Sequence, residues 1–409
     1  MLREAIVIGS GAREHALVHA LRTSGAQVYA IPGNAGIAEE ADVIRVDSPK
    51  AIVQKFQRTK PLVVIGPEAP LAEGWADILR DGGLSVVGPS RLAAQLESSK
   101  RLSKEIMVHC GIPTAKARVT SDPETLRRWI IEEANWPKVL KQSGLAAGKG
   151  VSVVSDVGQA LDTLKRWQDR GEIWKDGVLF EECLQGYEIS VEVITNGRNY
   201  VWLPVAQDYK RLTAHRDSPN TGGMGAMAPL VLEPPLVETI NRTIFDPVMR
   251  YLSEQQWVFR GVLYAGLMVT PLGPMALEFN VRLGDPETEV MLPILPVDWF
   301  DFWMALAEGE LPAVPKPSGA AVGVVVAAPG YPDAPVSGIP IHLGKDQPHT
   351  IIYHGGTRKT TQGWEGHGGR VLTVVGTGDT IAKAKERAYR RIQSLDFPQG
   401  FYRQDIGVQ

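Results

Sequence analysis

Glu278, Asn280 and Arg282 stand two residues apart, with Phe279 and Val281 between them. In a strand, alternate side chains share a face, so the three polar groups would line one side while the apolar pair packs behind. Two hard oxygen donors followed by a guanidinium suit Mg²⁺ held together with a phosphate. A solvated polar face closed by a salt bridge has the same spacing. The polar loop Gly284-Asp285-Pro286-Glu287-Thr288 follows directly. Upstream, Lys141 ends an apolar run and Gly144-Leu145-Ala146-Ala147-Gly148-Lys149-Gly150 comes next. Backbone N–H groups of such a loop can close over nucleotide phosphates while lysines neutralise them. It is not a P-loop, because no Gly-Lys-Ser/Thr closes it. A surface hairpin without a ligand is the plain alternative.

Other segments carry donors and acceptors in turns. Glu181-Glu182-Cys183-Leu184-Gln185-Gly186-Tyr187-Glu188 places carboxylates on both sides of a short turn, where they can accept from an exocyclic amine or a ribose hydroxyl, or face solvent. Gly9-Ser10-Gly11-Ala12-Arg13-Glu14 follows an apolar strand and opens a helix, a setting that favours phosphate. Its third glycine position is Glu14, which would crowd a pyrophosphate, and Arg13 favours a monophosphate ester. The turns Pro32-Gly33-Asn34-Ala35-Gly36 and Gly66-Pro67-Glu68-Ala69-Pro70 would converge on the same edge, or be turn chemistry alone. Asn220-Thr221-Gly222-Gly223-Met224-Gly225, preceded by Arg211, Arg216 and Asp217, reads as a substrate loop. His15 and His19 lack a metalloprotease pattern, and no Ser-His-Asp or Cys-His arrangement can be argued.

The elements that must hold these groups are α/β in pattern. Strands are expected at Ala5–Ile8, Gln27–Ala30, Leu62–Ile65 and Leu84–Val87, each running into glycine or proline, which predicts a parallel sheet with ligand loops at its carboxyl edge. A helix is expected over Leu92–Cys110. Asp122 or Ser121 should cap another helix at Pro123, and Pro137–Lys141 with Val151–Val154 should form a hairpin in a small α+β unit. Longer strands at Ile189–Thr195, Leu263–Thr270 and Met275–Asn280 precede a helix over Pro296–Glu308 and a Pro-rich linker, Leu311–Pro317. Strands near Val322–Ala327 and Val371–Val375 and a helix near Ile381–Leu395 complete an α/β tail.

Composition bounds the rest. The 409 residues suggest several domains, and 43 Lys+Arg against 46 Asp+Glu give a net charge of −3, without the global basic footprint that nucleic acid requires. The two cysteines, Cys110 and Cys183, make neither a disulfide framework nor a CxxC site. The longest apolar stretch, Ala320–Ala328, is too short for a membrane span, and the early strand leaves no room for a signal-peptide core. A cytoplasmic enzyme without membrane or nucleic-acid partners is the expectation.

Six segments together resemble the glycinamide ribonucleotide synthetase family: Ile8-Gly9-x-Gly11-x-Arg13-Glu14-His15-Ala16, Pro32–Gly36, Gly66–Leu71, Gly144–Gly150, Pro219–Gly225 and Leu277–Glu287, in order and across essentially the whole chain. The resemblance implies an ATP-grasp fold: an N-terminal parallel α/β domain (1–100), a central domain (101–120 and 189–318), a small α+β lid (121–188) and a C-terminal α/β domain (319–409). It implies ligation of glycine to 5-phosphoribosylamine with ATP, using Mg²⁺ or Mn²⁺; a monomer or weak oligomer is expected.

By the same resemblance, Lys100 and Lys141 would hold ATP phosphates under the Gly144–Gly150 loop, with Glu181 and Leu184 at the adenine and Glu188 at the ribose. Glu278 and Asn280 would ligate the metal, with Arg282 and Lys141 catalytic at the transferring phosphate. Gly9, Ser10, Gly11, Arg13, Asn34, Glu68, Asp285 and the loop Asn220, Thr221, Gly222, Gly223, Met224, Gly225 would bind phosphoribosylamine and glycine. Gly266 stands twelve residues before Glu278, where many ATP-grasp enzymes carry a second metal carboxylate. The chain departs from the family pattern at Ser143, usually Asp, at Tyr209, usually His, and over Thr213–Ser218. Another ATP-grasp ligase, or a nicotinamide-dependent oxidoreductase built on the Gly9 turn, are the competing readings.

Overall fold

Ala5-Ile6-Val7-Ile8 and Leu62-Val63-Val64-Ile65 contain no polar residue, the mark of strands covered on both faces. In the structure, a computed structural model that describes residues 3–145, 150–169, 176–215 and 218–408, these runs lie in the middle of a parallel sheet. Glu4–Gly9 pairs in parallel with Gln27–Pro32 and Leu62–Ile65, Leu62–Ile65 with Ser85–Pro89, and Gln27–Pro32 with the short Asp42–Val43. The turns after Gly9 and Ile65 therefore open at one edge, as expected for a doubly wound sheet.

That sheet does not end with the N-terminal residues. Phe259–Thr270 joins it antiparallel through Phe259 opposite Pro89 and Arg260 opposite Gly88. It then carries Tyr187–Thr195 on one register and Gly273–Asn280 on another, with Tyr200–Trp202 at the margin. Among the described residues nine strands form this one surface. The strand bearing Glu278 and Asn280 is thus rigidly related to the loops of the N-terminal half.

A separate four-stranded antiparallel sheet, Ala117–Thr120, Val178–Glu182, Lys138–Gln142 and Val151–Val154, forms the small unit. The helices Pro123–Glu132 and Val157–Asp169 close its core with Leu126, Ile130, Leu164 and Trp167 against Leu140, Val154 and Phe180. Asp122 caps the first helix, accepting from the N–H groups of Glu124 and Thr125. The expected hairpin is present, with Lys141 opposite Val151. The C-terminal sheet is built on Ala320–Ala327, buried throughout, and Arg370–Gly378, with Thr350–His354 beyond and the helix Ile381–Gln393 packed on it. Gly225–Ala228 and Gln207–Asp208, from the stretch read as central, extend this same sheet. The three-stranded sheet Pro340–Ile341, Gly363–Gly366 and Thr357–Thr360 was not anticipated. No single helix among the described residues is long and apolar enough to cross a membrane.

Two helical expectations change. The single helix over Leu92–Cys110 is broken: Gln95–Ser98 and Lys100–His109 are separate, because Ser99 is extended and its hydroxyl accepts from Leu102 N–H at 3.2 Å. A local side-chain cap has won over helix continuation, and it places Lys100 in a first turn. Pro234–Ile240, Asn241–Phe245 and Asp246–Glu254 make a helix that sequence reading did not assign, and its middle turn is widened to π just before Pro247, which has no N–H to donate.

The first helix and the end of Thr350–His354 meet tightly. His354 N–H donates to His15 Nδ1 at 2.9 Å, and Asn34 Nδ2 donates to His354 O at 2.7 Å and to Ser10 O at 2.8 Å. Burial and the neighbouring His15 push the His354 imidazole down to about 3, so the seam holds a neutral ring. Gly36 has an ordinary helical backbone, yet a Cβ there would overlap that ring. Gly36→Ala is expected to lose about 1–3 kcal/mol by overpacking, read as a lower unfolding midpoint. Adding His354→Ala should recover part of it. An unchanged midpoint in the single variant would mean the seam is loose.

Candidate active site

The cross-strand register sets out one face of the central sheet. Glu192, Tyr264 and Asn280 stand opposite one another in one row, and Ser190, Gly266 and Glu278 in the next. Phe279 and Val281 are buried behind, as the alternation requires. Tyr264 and Ser190 hydroxyls hydrogen-bond at 2.8 Å. A Cβ on Gly266 would stand 3.3 Å from Glu278 Cγ and 3.6 Å from the Tyr264 ring, so that position keeps the face open beside Glu278. Among the described residues neither the Glu278 carboxylate nor the Asn280 amide forms a hydrogen bond, and the nearest cation, Lys210 Nζ, lies 3.8 Å from Glu278. Burial favours the neutral acid, but Lys210, Lys141, Lys100 and Arg282 hold Glu278 below the usual glutamate value. An ionised carboxylate and an amide oxygen on one face, neither taken up by a hydrogen bond among the described residues, fit a hard divalent cation completed by phosphate and water.

Lys210 is a residue that sequence reading did not assign. It pairs with Glu188 at 3.3 Å, and although burial opposes its charge, Tyr264, Glu188, Glu278 and Asp208 hold its ammonium well above the ordinary lysine value. Lys100 Nζ donates to Gly144 O at 3.2 Å, and its backbone N–H donates to Ser143 O at 3.0 Å. The unusual Ser143 is fully buried and its hydroxyl accepts from Arg101 N–H at 3.0 Å, tying the loop's start to the helix that carries Lys100. Leu145 is exposed beside them, and Gly150 O accepts from Gln142 N–H. Ala146, Ala147, Gly148 and Lys149 lie outside the described residues, as do Arg216 and Asp217.

Glu181, expected beside an adenine, has a different use for its side chain. Its buried carboxylate sits between Lys104 Nζ at 3.0 Å and Lys141 Nζ at 2.9 Å. Lys104 also donates to Thr114 Oγ1 and Ala115 O, and Lys141 to Leu277 O at 2.9 Å. Glu181 therefore fixes Lys141 beside the Gly273–Asn280 strand, and its carboxylate is already paired. Lys104 was missed because nothing in its helix marks it out.

At the N-terminal edge, Glu14 folds back so that Oε2 accepts from Gly11 N–H and Oε1 from Arg13 Nε, both at 2.6 Å. A Cβ at Gly9 or Gly66 would overlap this carboxyl group, so these glycines make room for Glu14. The cradle that would take a dinucleotide pyrophosphate is filled by a carboxylate, which removes the oxidoreductase reading. Arg13 Nη1 donates to Leu283 O at 3.1 Å, and its Nη2 has no hydrogen bond among the described residues. Arg282 pairs with Glu97 at 3.0 Å and Glu68 at 3.7 Å. Burial opposes its charge too, but Glu97, Glu68 and Glu287 keep it cationic.

The glycine loop meets this edge through Arg370, which sequence reading also missed. It donates to Gly222 O at 2.6 Å and to Asp285 O at 3.0 Å, and pairs with Asp285 Oδ1 at 2.9 Å. Thr221 N–H and Oγ1 both donate to Lys210 O. Gly223, at φ +106°, is needed: a Cβ would stand 2.5 Å from Pro286 Cδ and 2.8 Å from Asp208 Oδ1. Two of the residues expected at the substrate have side chains engaged within the protein. Met224 is fully buried in the protein interior, and Asn34 is occupied by Ser10 O, His354 O and, at its Oδ1, by Ile37 N–H. Tyr209, the second departure, accepts from Gly407 N–H and donates to Val408 O, each at 3.1 Å, under the Arg403 guanidinium.

Three family models described as phosphoribosylglycinamide synthetase match the chain: the N domain over residues 3–97, the ATP-grasp (A) domain over 98–288 and the C domain over 321–409. Curated relatives include a phosphoribosylamine–glycine ligase of Leifsonia xyli, 41% identical, and one of Rhizobium meliloti, 40% identical. The alignments span 99% of this chain and 99% and 98% of those proteins. The crystal structure of phosphoribosylamine–glycine ligase from Thermotoga maritima superposes with a TM-score of 0.86 at 35% identity, covering 98% of this chain and 99% of that one. The biotin carboxylase domain of Hydrogenobacter thermophilus 2-oxoglutarate carboxylase shares the fold, with a TM-score of 0.74 at 17% identity over 98% of this chain and 92% of that one.

The Lys104–Glu181–Lys141 triad gives a direct test of this geometry. Glu181→Gln leaves two buried ammonium groups without a counter-charge and is expected to cost about 3–5 kcal/mol in denaturant unfolding. A loss below about 1 kcal/mol, the range of exposed pairs, would contradict the buried arrangement.

Proposed function

Because the chain belongs to the phosphoribosylglycinamide synthetase family, we propose that it joins glycine to 5-phosphoribosylamine with ATP, forming glycinamide ribonucleotide, ADP and phosphate. The observation that carries this reading is the single open face on which Lys100, Lys141, Glu278, Asn280 and Arg282 converge, next to the Gly9–Arg13 turn. A ligase acting on free metabolites draws on the cytoplasmic ATP pool, and we place it there.

The chemistry explains the residue types. An oxygen of a free carboxylate is a poor leaving group, so glycine must first be activated. Its carboxylate oxygen attacks the γ-phosphorus of ATP, the bond to the β–γ bridging oxygen breaks, and ADP departs. The amine nitrogen of phosphoribosylamine then attacks the carbonyl carbon of glycyl phosphate. The carbon–oxygen bond breaks, inorganic phosphate leaves and the nitrogen loses a proton. Lys100, Lys141 and Arg282 would spread the charge of the moving phosphoryl group. Glu278 and Asn280 would hold Mg²⁺ or Mn²⁺, which supplies further charge neutralisation at the phosphates. Gly144–Gly150 would close over ATP and exclude water from the acyl phosphate. Leu184 and the Glu181 backbone would border the adenine and Glu188 the ribose. Gly9, Ser10, Gly11, Arg13 and Glu68 would take the phosphoribosyl part, and Asp285 with the Asn220–Gly225 loop would complete the acceptor side.

ADP release is expected only when ATP, glycine and phosphoribosylamine are all present; ADP formed equally well without glycine would reject the reading. Glu278→Ala and Asn280→Ala should each shift the magnesium dependence to higher concentration with the unfolding midpoint retained, and unchanged titrations in both would remove the metal assignment. Arg13→Ala should raise KM for phosphoribosylamine far more than for ATP, since a lost charge-assisted contact costs about 1.5–3 kcal/mol, roughly ten- to a hundredfold. An equal effect on ATP would place the phosphoribosyl group elsewhere.

A further inference from the structure

The short helix Glu287–Met291 carries an acid into the interior that the proposed reaction does not use. Glu289 is fully buried, and among the described residues neither of its carboxyl oxygens receives a hydrogen bond. It follows Asp285 by four positions, a spacing that brings side chains together around a helix start, and the two carboxyl groups lie within hydrogen-bonding reach of each other. Two carboxylates offer each other only acceptors, so this contact requires one proton between them. Asp285 is the member that stays charged. Its Oδ1 pairs with Arg370 at 2.9 Å, and its Oδ2 turns towards the Gly9–Arg13 turn, where a Cβ on Gly11 would stand 3.6 Å away. Burial opposes that charge, but Arg370, Arg13 and Arg282 hold Asp285 below the usual aspartate value. Burial and the charge of Asp285 push Glu289 well above the glutamate one. From the elements packed on this helix, Arg370, Arg13 and Tyr353 also face Glu289. Glu14 is taken by Gly11 and Arg13, His15 by His354 N–H, and Glu287 points at Gly284. Gly225–Ala228, Ala320–Ala327 and Leu292–Ile294 bring no titratable side chain.

We propose that Glu289 is a positioning residue that works as a neutral acid, donating its carboxyl proton in a hydrogen bond to Asp285 and so fixing Asp285 against Arg370 and the Gly9–Arg13 turn. Arg370 also donates to Asp285 O and Gly222 O, so this one carboxylate and guanidinium join the glycine loop, the C-terminal sheet and the N-terminal edge. An ionised Glu289 would repel Asp285 and compete with it for Arg370. The proton removes that competition and turns a repulsive contact into a charge-assisted hydrogen bond. The acid acts through Asp285 and touches no substrate itself.

Two variants of the full-length protein separate the donor from the bulk of the side chain. Glu289→Gln keeps an uncharged donor, and Glu289→Met keeps the length without one. Infrared difference spectroscopy of the unliganded protein at neutral pH reads the proton directly. The unmodified protein should show a protonated-carboxyl C=O band that is missing from Glu289→Gln, and a spectrum in which no such band is lost would overturn the proposal whatever the protein catalyses. The kinetic arm rests on the ligase reading. Glu289→Met is expected to raise KM for phosphoribosylamine roughly tenfold while KM for ATP stays within about twofold, and Glu289→Gln should restore both to within about twofold of the unmodified protein. Equal losses in the two variants, or no loss in Glu289→Met, would overturn the positioning role. If Glu289→Met does not fold, the infrared comparison with Glu289→Gln still decides. If the unmodified protein releases no ADP with all three substrates, the ligase reading fails and the shared proton is judged by its band alone.

Discussion

The ion pair of Arg282 with Glu97, at 3.0 Å, holds the two halves of the site in register. Arg282 leaves the end of the strand that carries Glu278 and Asn280, while Glu97 belongs to the short helix that follows the N-terminal sheet. The other oxygen of Glu97 accepts from Val281 N–H at 2.9 Å, so one carboxylate grips both the side chain and the backbone of the strand's end. A buried pair of this kind contributes little net stability once desolvation is counted, and breaking it is costly. Its value here is geometric. With Phe259 and Arg260 pairing into Ser85–Pro89, it fixes the Gly273–Asn280 strand relative to the loops of the N-terminal sheet edge.

Charge is arranged around that joint before any ligand arrives. Lys141 is held by Glu181 in a buried pair, and Lys210 by Glu188 and Glu278 and Arg370 by Asp285 in partly exposed ones. Charges fixed in this way can stabilise a transferring phosphoryl group without reorganising at the moment of reaction.

The sequence exposed those parts of the site that rest on local pattern. Alternation at 278–282 put Glu278 and Asn280 on one face, and glycine-rich turns after apolar runs marked the carboxyl edge of the parallel sheet. What it hid depends on tertiary contact. Lys104 meets Glu181, and Arg370 meets Asp285, only because distant strands and helices are brought together. Glu192 shares the alternation of Glu188 and Ser190, but its apolar neighbours made the segment read as a plain buried strand. Gly225–Ala228 has no β-branched residue, so its role in the C-terminal sheet had no local signal. Ser99 shows the reverse case: one hydroxyl, reading only its own neighbourhood, ended a helix that periodicity would have continued.

In the proposed reaction one face passes a phosphoryl group from ATP to a carboxylate before an amine displaces it. No cysteine offers an alternative covalent route, since Cys110 lies just past a helix end and the Cys183 thiol is pushed upward by burial. Glycine labelled with heavy oxygen in both carboxylate positions distinguishes the possibilities. One labelled oxygen is expected in the inorganic phosphate released with each amide formed, as the bridging oxygen leaves with phosphorus. Normal amide formation accompanied by unlabelled phosphate would contradict it.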